Sequence, residues 1–92
     1  MENLTSKQRK AFEKQAHDLS PVVIIGSNGA TEGVIKMINE SLNHHELIKV
    51  KFNEFKDEKH EITDAIVAQL DATLIRIIGN NAILYRKNPE KE

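Results

Sequence analysis

Val22-Val23-Ile24-Ile25-Gly26-Ser27-Asn28-Gly29-Ala30-Thr31-Glu32-Gly33 is the stretch whose reading decides the fold. Four β-branched apolar residues in a row predict a strand, and an unbroken apolar run predicts one buried on both faces. Gly26-Ser27-Asn28-Gly29 predicts a tight turn. Thr31 offers a side-chain cap for a helix in which Val34, Ile35, Ile38 and Leu42 form one apolar stripe. Strand, glycine turn and helix in succession open a βαβ crossover.

Upstream, Ser20-Pro21 stops whatever helix precedes it, because the residue before a proline is pushed out of the helical region. Thr5 or Ser6 can cap that first helix, predicted to run to about Leu19 with Phe12, Ala16 and Leu19 at helical spacing. Downstream, residues 47–52 alternate. Ile48, Val50 and Phe52 share one face and Lys49 and Lys51 the other, so a half-exposed strand is predicted. A polar loop follows over residues 53–57. Ile62, Ala65, Ile66 and Leu70 then mark a third helix. Residues 73–78 and 82–86 read as two strands joined through Gly79-Asn80-Asn81, residue types that tolerate a positive φ. From about residue 87 the tail, with Pro89, is predicted to fray. The order is α-β-α-β-α-β-β over a single compact α/β domain, residues 1–92, with three helices on a small mixed four-stranded sheet. No repeat, linker or second domain interrupts it.

Composition narrows the chemistry. Ninety-two residues suffice for one modest core, here aliphatic: 39% of residues are hydrophobic but only 4% aromatic, with three Phe, one Tyr and no Trp. The chain has no cysteine, which excludes disulfides, thiolate metal sites and cysteine nucleophiles. No apolar run approaches the roughly 18 residues of a membrane span, and residues 1–7 lack the apolar core of a signal peptide. A soluble, cytoplasmic protein with no membrane partner is expected. Net charge is −1, but the charges are unevenly placed. Residues 5–15 hold Lys7, Arg9, Lys10 and Lys14 against Glu13 alone, whereas residues 53–64 hold five acids and two lysines. Segregation of the acids leaves room for a locally positive face.

Two glycines three apart between a strand and a helix start suit close approach by a ligand backbone, and the helix N-terminus favours a phosphate. Ser27 and Asn28 add short hydrogen-bonding side chains. The same physics operates in the GXXG loop that clamps a nucleic-acid backbone in KH domains. Alone the pattern is not specific, since glycine joins many strands to helices. It is too short for a P-loop and lacks the third glycine of a dinucleotide fingerprint. Lys7, Lys10 and Lys14 fall within an arc of about 60°, opposite Phe12, Ala16 and Leu19, as a solvated face or a phosphate-binding one. Lys49 and Lys51 form a second pair, whose alternative reading is protection of an edge strand. His44-His45-Glu46 lacks a third ligand at helical spacing, so the imidazoles are assigned to the end of the second helix rather than to a metal. No nucleophile–base pairing or carboxylate pair stands out, and neither an enzyme nor a cofactor is expected.

Four stretches together resemble the YhbY group, the free-standing bacterial form of the CRM domain. They are residues 4–9 (Leu4-Thr5-Ser6-Lys7-Gln8-Arg9), Pro21-Val22-Val23 through the glycine turn to Val34, residues 44–51, and Ile78-Gly79 followed by Leu84-Tyr85-Arg86. The resemblance spans residues 4–86. It implies a fold similar to the C-terminal domain of translation initiation factor three, RNA binding through the glycine loop, and association with precursors of the large ribosomal subunit. It implies that Gly26, Ser27, Asn28 and Gly29 meet the RNA backbone with the basic residues of the first helix, Lys7, Arg9, Lys10 and Lys14, beside them; Thr31, Lys49 and Lys51 complete the expected RNA-contacting set. Two departures are visible: Asn80 stands where the family often has a basic residue, and the tail carries Glu90 and Glu92. A monomer that binds ribosomal RNA, with no small-molecule substrate, is the expectation. The alternatives are a module that binds a ribosomal protein or assembly factor through apolar residues, and an enzyme or small anion-binding protein that uses the glycine turn for a nucleotide or phosphate.

Overall fold

In a computed structural model, which describes residues 4–88, the helices and strands follow the predicted order. They are α1 (Ser6–Ala16), β1 (Val23–Ile25), α2 (Glu32–His45), β2 (Leu47–Phe52), α3 (Lys59–Leu70), β3 (Thr73–Ile78) and β4 (Asn81–Tyr85). Within the segment expected to be loop, a single 3-10 turn, Lys56–Glu58, leads into α3. The expectations for residues 1–3 and for Pro89, Glu90 and Glu92 fall outside the described residues.

Local chemistry sets the helix starts. The Thr5 hydroxyl accepts from the Gln8 amide at 3.1 Å while the Gln8 side chain accepts from the Thr5 amide at 2.8 Å, a reciprocal capping box. Thr31 caps α2 by accepting from the Val34 amide at 3.2 Å. Helix α1 stops at Ala16, three residues short of the expected Leu19. The Leu19 amide turns back to the Ala16 carbonyl at 3.0 Å, and Leu19 itself stays exposed, so no packing rewards a longer helix.

The sheet order is β1-β2-β4-β3. β1 and β2 pair in parallel across the α2 crossover, with Ile24 opposite Lys51 and Ile25 opposite Phe52. β4 lies between β2 and β3 and is antiparallel to both. β1, β2 and β3 therefore run one way, and the ends of all three meet the start of β4 at one edge of the molecule. β3 turns into β4 through Gly79-Asn80, with Gly79 at φ 60°; a glycine there is what a two-residue hairpin of this hand requires.

Two strand expectations are corrected. β1 is a three-residue edge strand with one face open, not a strand buried on both faces: Val23 and Ile25 are buried while Ile24 is 53% exposed. β2, read as a possible edge, is central, so Lys49 and Lys51 stand on the open face of an interior strand.

Alternation divides the core in two. Val23, Ile25, Ile48, Val50, Phe52, Ala82 and Leu84 face α2 and α3 and pack with Ile38, Leu42, Ile66 and Val67. On the other face a small cluster of Ala16, Ile75 and Ile83 is completed by Leu4, Phe12, Leu47 and Tyr85, where α1 lies. The Phe12 and Tyr85 rings stack at 4.4 Å. Asn88, within the tail expected to fray, is hydrogen-bonded to residues at the end of α2. Its amide donates to Glu46 Oε2 and its side chain to the Asn43 carbonyl, each at 2.6 Å.

Candidate nucleic-acid interface

Gly26 to Gly29 form a turn closed by the Gly29 amide donating to the Gly26 carbonyl at 3.0 Å, with Ser27 and Asn28 exposed at its tip. The two glycines are there for different reasons. Gly29 sits at φ 71°, where a side chain is strained. Gly26 has no left-handed φ, and a Cβ built on it would meet nothing within 4 Å. The fold therefore does not need glycine at position 26. A bare backbone at an open corner is what close approach by a ligand asks for. Thr31 caps α2 with its hydroxyl and remains exposed.

Beside this corner the sheet face is uncovered, because α1 shields only part of it. Ile24, Lys51, Asn81 and Ile78 follow one another across β1, β2, β4 and β3, with Ile24 and Ile78 about half exposed. Lys49 lies next to them, at the mouth of a cavity of about 240 Å³ under the end of α1 that His17 and Asn81 also line. Asn81 Oδ1 is buried there without a hydrogen-bond partner. The structure thus brings Lys49 and Lys51 onto the face that leads to the glycine turn. Lys7, Lys10 and Lys14 are exposed on α1, which packs through Phe12 and Ala16 on the sheet face that carries Ile75 and Ile83. Glu13, the acid among them, is held by Arg76 at 2.8 Å.

Arg9 departs from the role given to it. Its guanidinium donates to the Leu74 and Ile75 carbonyls at 2.8 and 3.1 Å, where β3 carries an irregularity that leaves carbonyls outside the ladder. Through this one nitrogen it fastens α1 to the sheet. Arg9→Ala is expected to cost about 1–3 kcal/mol in denaturant unfolding, by orphaning those carbonyls, without changing the salt dependence of RNA binding. A lowered salt slope would return Arg9 to the interface.

The acidic segment is not kept clear of the corner, contrary to expectation. The Asn53 and Glu54 amides both donate to the Ile25 carbonyl, at 3.0 and 3.3 Å, which draws residues 53–58 against the turn. The Phe55 ring covers one side of Gly29, and Glu54, Asp57 and Glu58 border a cleft of about 630 Å³ shared with Ser27. The corner is therefore two-sided: three carboxylates, Lys56 and an aromatic ring on the loop side, Lys49 and Lys51 on the sheet side. Phe55 escaped the sequence reading because a lone aromatic in a polar loop has no periodicity to mark it. Lys59 escaped too. Its ammonium donates to the Gly79 carbonyl at 2.6 Å and lies 3.4 Å from Asn80 Oδ1, so a cation stands at the hairpin tip although residue 80 is not basic.

The CRS1 / YhbY (CRM) domain family matches residues 4–86. A Haemophilus influenzae protein named "RNA-binding protein" is 44% identical over 91 residues, covering 98% of this chain and 92% of its own. A Pseudomonas aeruginosa protein named "Probable RNA-binding protein" is 43% identical over 88 residues, covering 95% of this chain and 85% of its own. The solution structure of a Staphylococcus aureus protein described as "a putative RNA binding protein" superposes with a TM-score of 0.81 at 34% identity, covering 98% of this chain and 95% of that one.

Proposed function

Because the chain belongs to the CRS1 / YhbY (CRM) domain family, we propose that it is an RNA-binding protein whose glycine corner grips a sugar-phosphate chain. Its ligand on this reading is ribosomal RNA in precursors of the large subunit, which it binds in the cytoplasm as a monomer and helps to assemble. The observation that carries the proposal is Gly26, a glycine with open space before it that the fold does not require. From that corner the backbone runs over the sheet side, past Lys51 and Lys49, and onto the back of α1 with Lys14, Lys10 and Lys7. Lysines this far apart neutralise successive phosphates and read no bases, so the RNA is recognised by its shape and charge.

The test is the salt dependence of binding to ribosomal RNA, joined to sedimentation of a cell lysate. Replacing Lys7, Lys10 and Lys14 together by alanine is expected to lower the slope of log K against log salt by about 2–3, at roughly 0.7–0.9 per phosphate contact. An unchanged slope would remove α1 from the interface. The protein is expected to sediment with particles of the large subunit and to leave them as salt is raised. A protein found only at the top of the gradient would end the ribosomal part of the proposal.

A further inference from the structure

The geometry points to Phe55 as the stacking platform for one unpaired base of the RNA held at the glycine corner; this rests on the RNA-binding reading above. Phe55 lies on no regular element and adopts φ 56°, ψ 38°, a left-handed conformation that a bulky side chain rarely takes. The residue is 41% exposed, although it is one of only three phenylalanines in the chain. Packing is only part of its role: ring atoms Cε2 and Cζ lie 3.5 and 3.8 Å from where a Cβ of Gly29 would sit, so one part of the ring rests on the turn and the rest is open.

The surroundings say what the open part takes. The cleft it shares with Ser27 is edged by Asn53, Glu54, Lys56, Asp57 and Glu58, three carboxylates to one ammonium. Those carboxylates repel phosphate, so the RNA backbone keeps to the Gly26 and Lys51 side. They accept hydrogen bonds from the N–H edges of bases, and a base turned off that backbone would enter the cleft across the Phe55 face. The two sides of the corner thus divide one nucleotide between them, with its phosphate toward the lysines and its base toward the ring. This adds a preference for an unpaired nucleotide to a surface that otherwise reads charge and shape.

The probe is an RNA hairpin whose single-stranded loop carries 2-aminopurine, whose fluorescence falls when it stacks. The intact protein is expected to bind it and quench the fluorophore. Phe55→Leu, which keeps an apolar contact with Gly29, is expected to bind about tenfold more weakly, with most of the quenching lost. Phe55→Trp is expected to bind at least as well, and its indole, the single tryptophan of that variant, to be quenched by an unlabelled hairpin of the same sequence. A Phe55→Leu protein that melts like the native one and binds and quenches equally overturns the inference. If Phe55→Leu does not fold, an unquenched indole in an RNA-bound Phe55→Trp protein overturns it instead. Failure of the native protein to bind the hairpin at low salt would take down the RNA-binding reading itself, and this inference with it.

Discussion

A chain carrying Arg86→Ala is expected to lose about 3 kcal/mol of stability and roughly 10–20 °C in melting temperature, while keeping its affinity for RNA wherever it is folded. Arg86 belongs to a stretch that carries the family resemblance, and both terminal nitrogens of its guanidinium are engaged by the protein itself. Nη1 donates to Asn39 Oδ1 at 2.8 Å and to the Leu70 carbonyl at 2.9 Å. Nη2 donates to the Asn39 carbonyl at 3.1 Å and to Asn43 Oδ1 at 2.7 Å. One planar fork thereby ties α2, the last turn of α3 and the end of β4 together. Its charge also sits at the C-terminus of α3, where it opposes the helix dipole. Alanine would leave partly buried acceptors unpaired. Lysine, a point donor, would recover only part of the loss. Thermal and urea denaturation check this; a loss below about 1 kcal/mol would mean that water replaces the fork at little cost.

The second large effect is expected at Gly26. Gly26→Asp should lower RNA affinity by about a hundredfold, because it puts both a Cβ and a carboxylate where a phosphate approaches, and like charges brought together cost several kcal/mol. Stability should change by no more than about 0.5 kcal/mol, since nothing stands within 4 Å of the new Cβ and φ is unstrained. Gly29→Ala should behave in the opposite sense. It strains a backbone at φ 71° and costs about 1–2 kcal/mol, while leaving the open side of the corner unobstructed. Equilibrium binding measured beside chemical denaturation separates the two. If Gly26→Asp binds RNA as the native chain does, the corner is only a connection between strand and helix.

What could be read without coordinates depended on how local the cause was. The capping threonines, the alternation of Ile48, Val50 and Phe52, and the turn at Gly79 each declare themselves within a few residues, and the structure bears them out. Strand order is not local. β1 read as buried because the run from Val22 to Ile25 is apolar throughout, yet β1 stands at the end of the strand order with Ile24 on an open face. The arginines show the same limit more sharply. Arg9 finds its acceptors 65 and 66 residues away and Arg86 reaches back 47, distances over which composition says nothing about pairing. The glycine corner was legible as a motif, but not the arrival of Glu54 and Phe55 beside it, which follows from two amides sharing the Ile25 carbonyl.

The separation of the apolar interior into a larger and a smaller cluster has a kinetic consequence. Helix α1 is joined to the remainder by the minor cluster, the Arg9 hydrogen bonds and the Arg76–Glu13 pair, so it is expected to lift off while the four strands stay paired. Its amides should then exchange with solvent through a partial opening that costs less than complete unfolding, ahead of those in β2 and β4. Three of the lysines offered to RNA ride on this detachable unit, and a bound polyanion would slow its excursions.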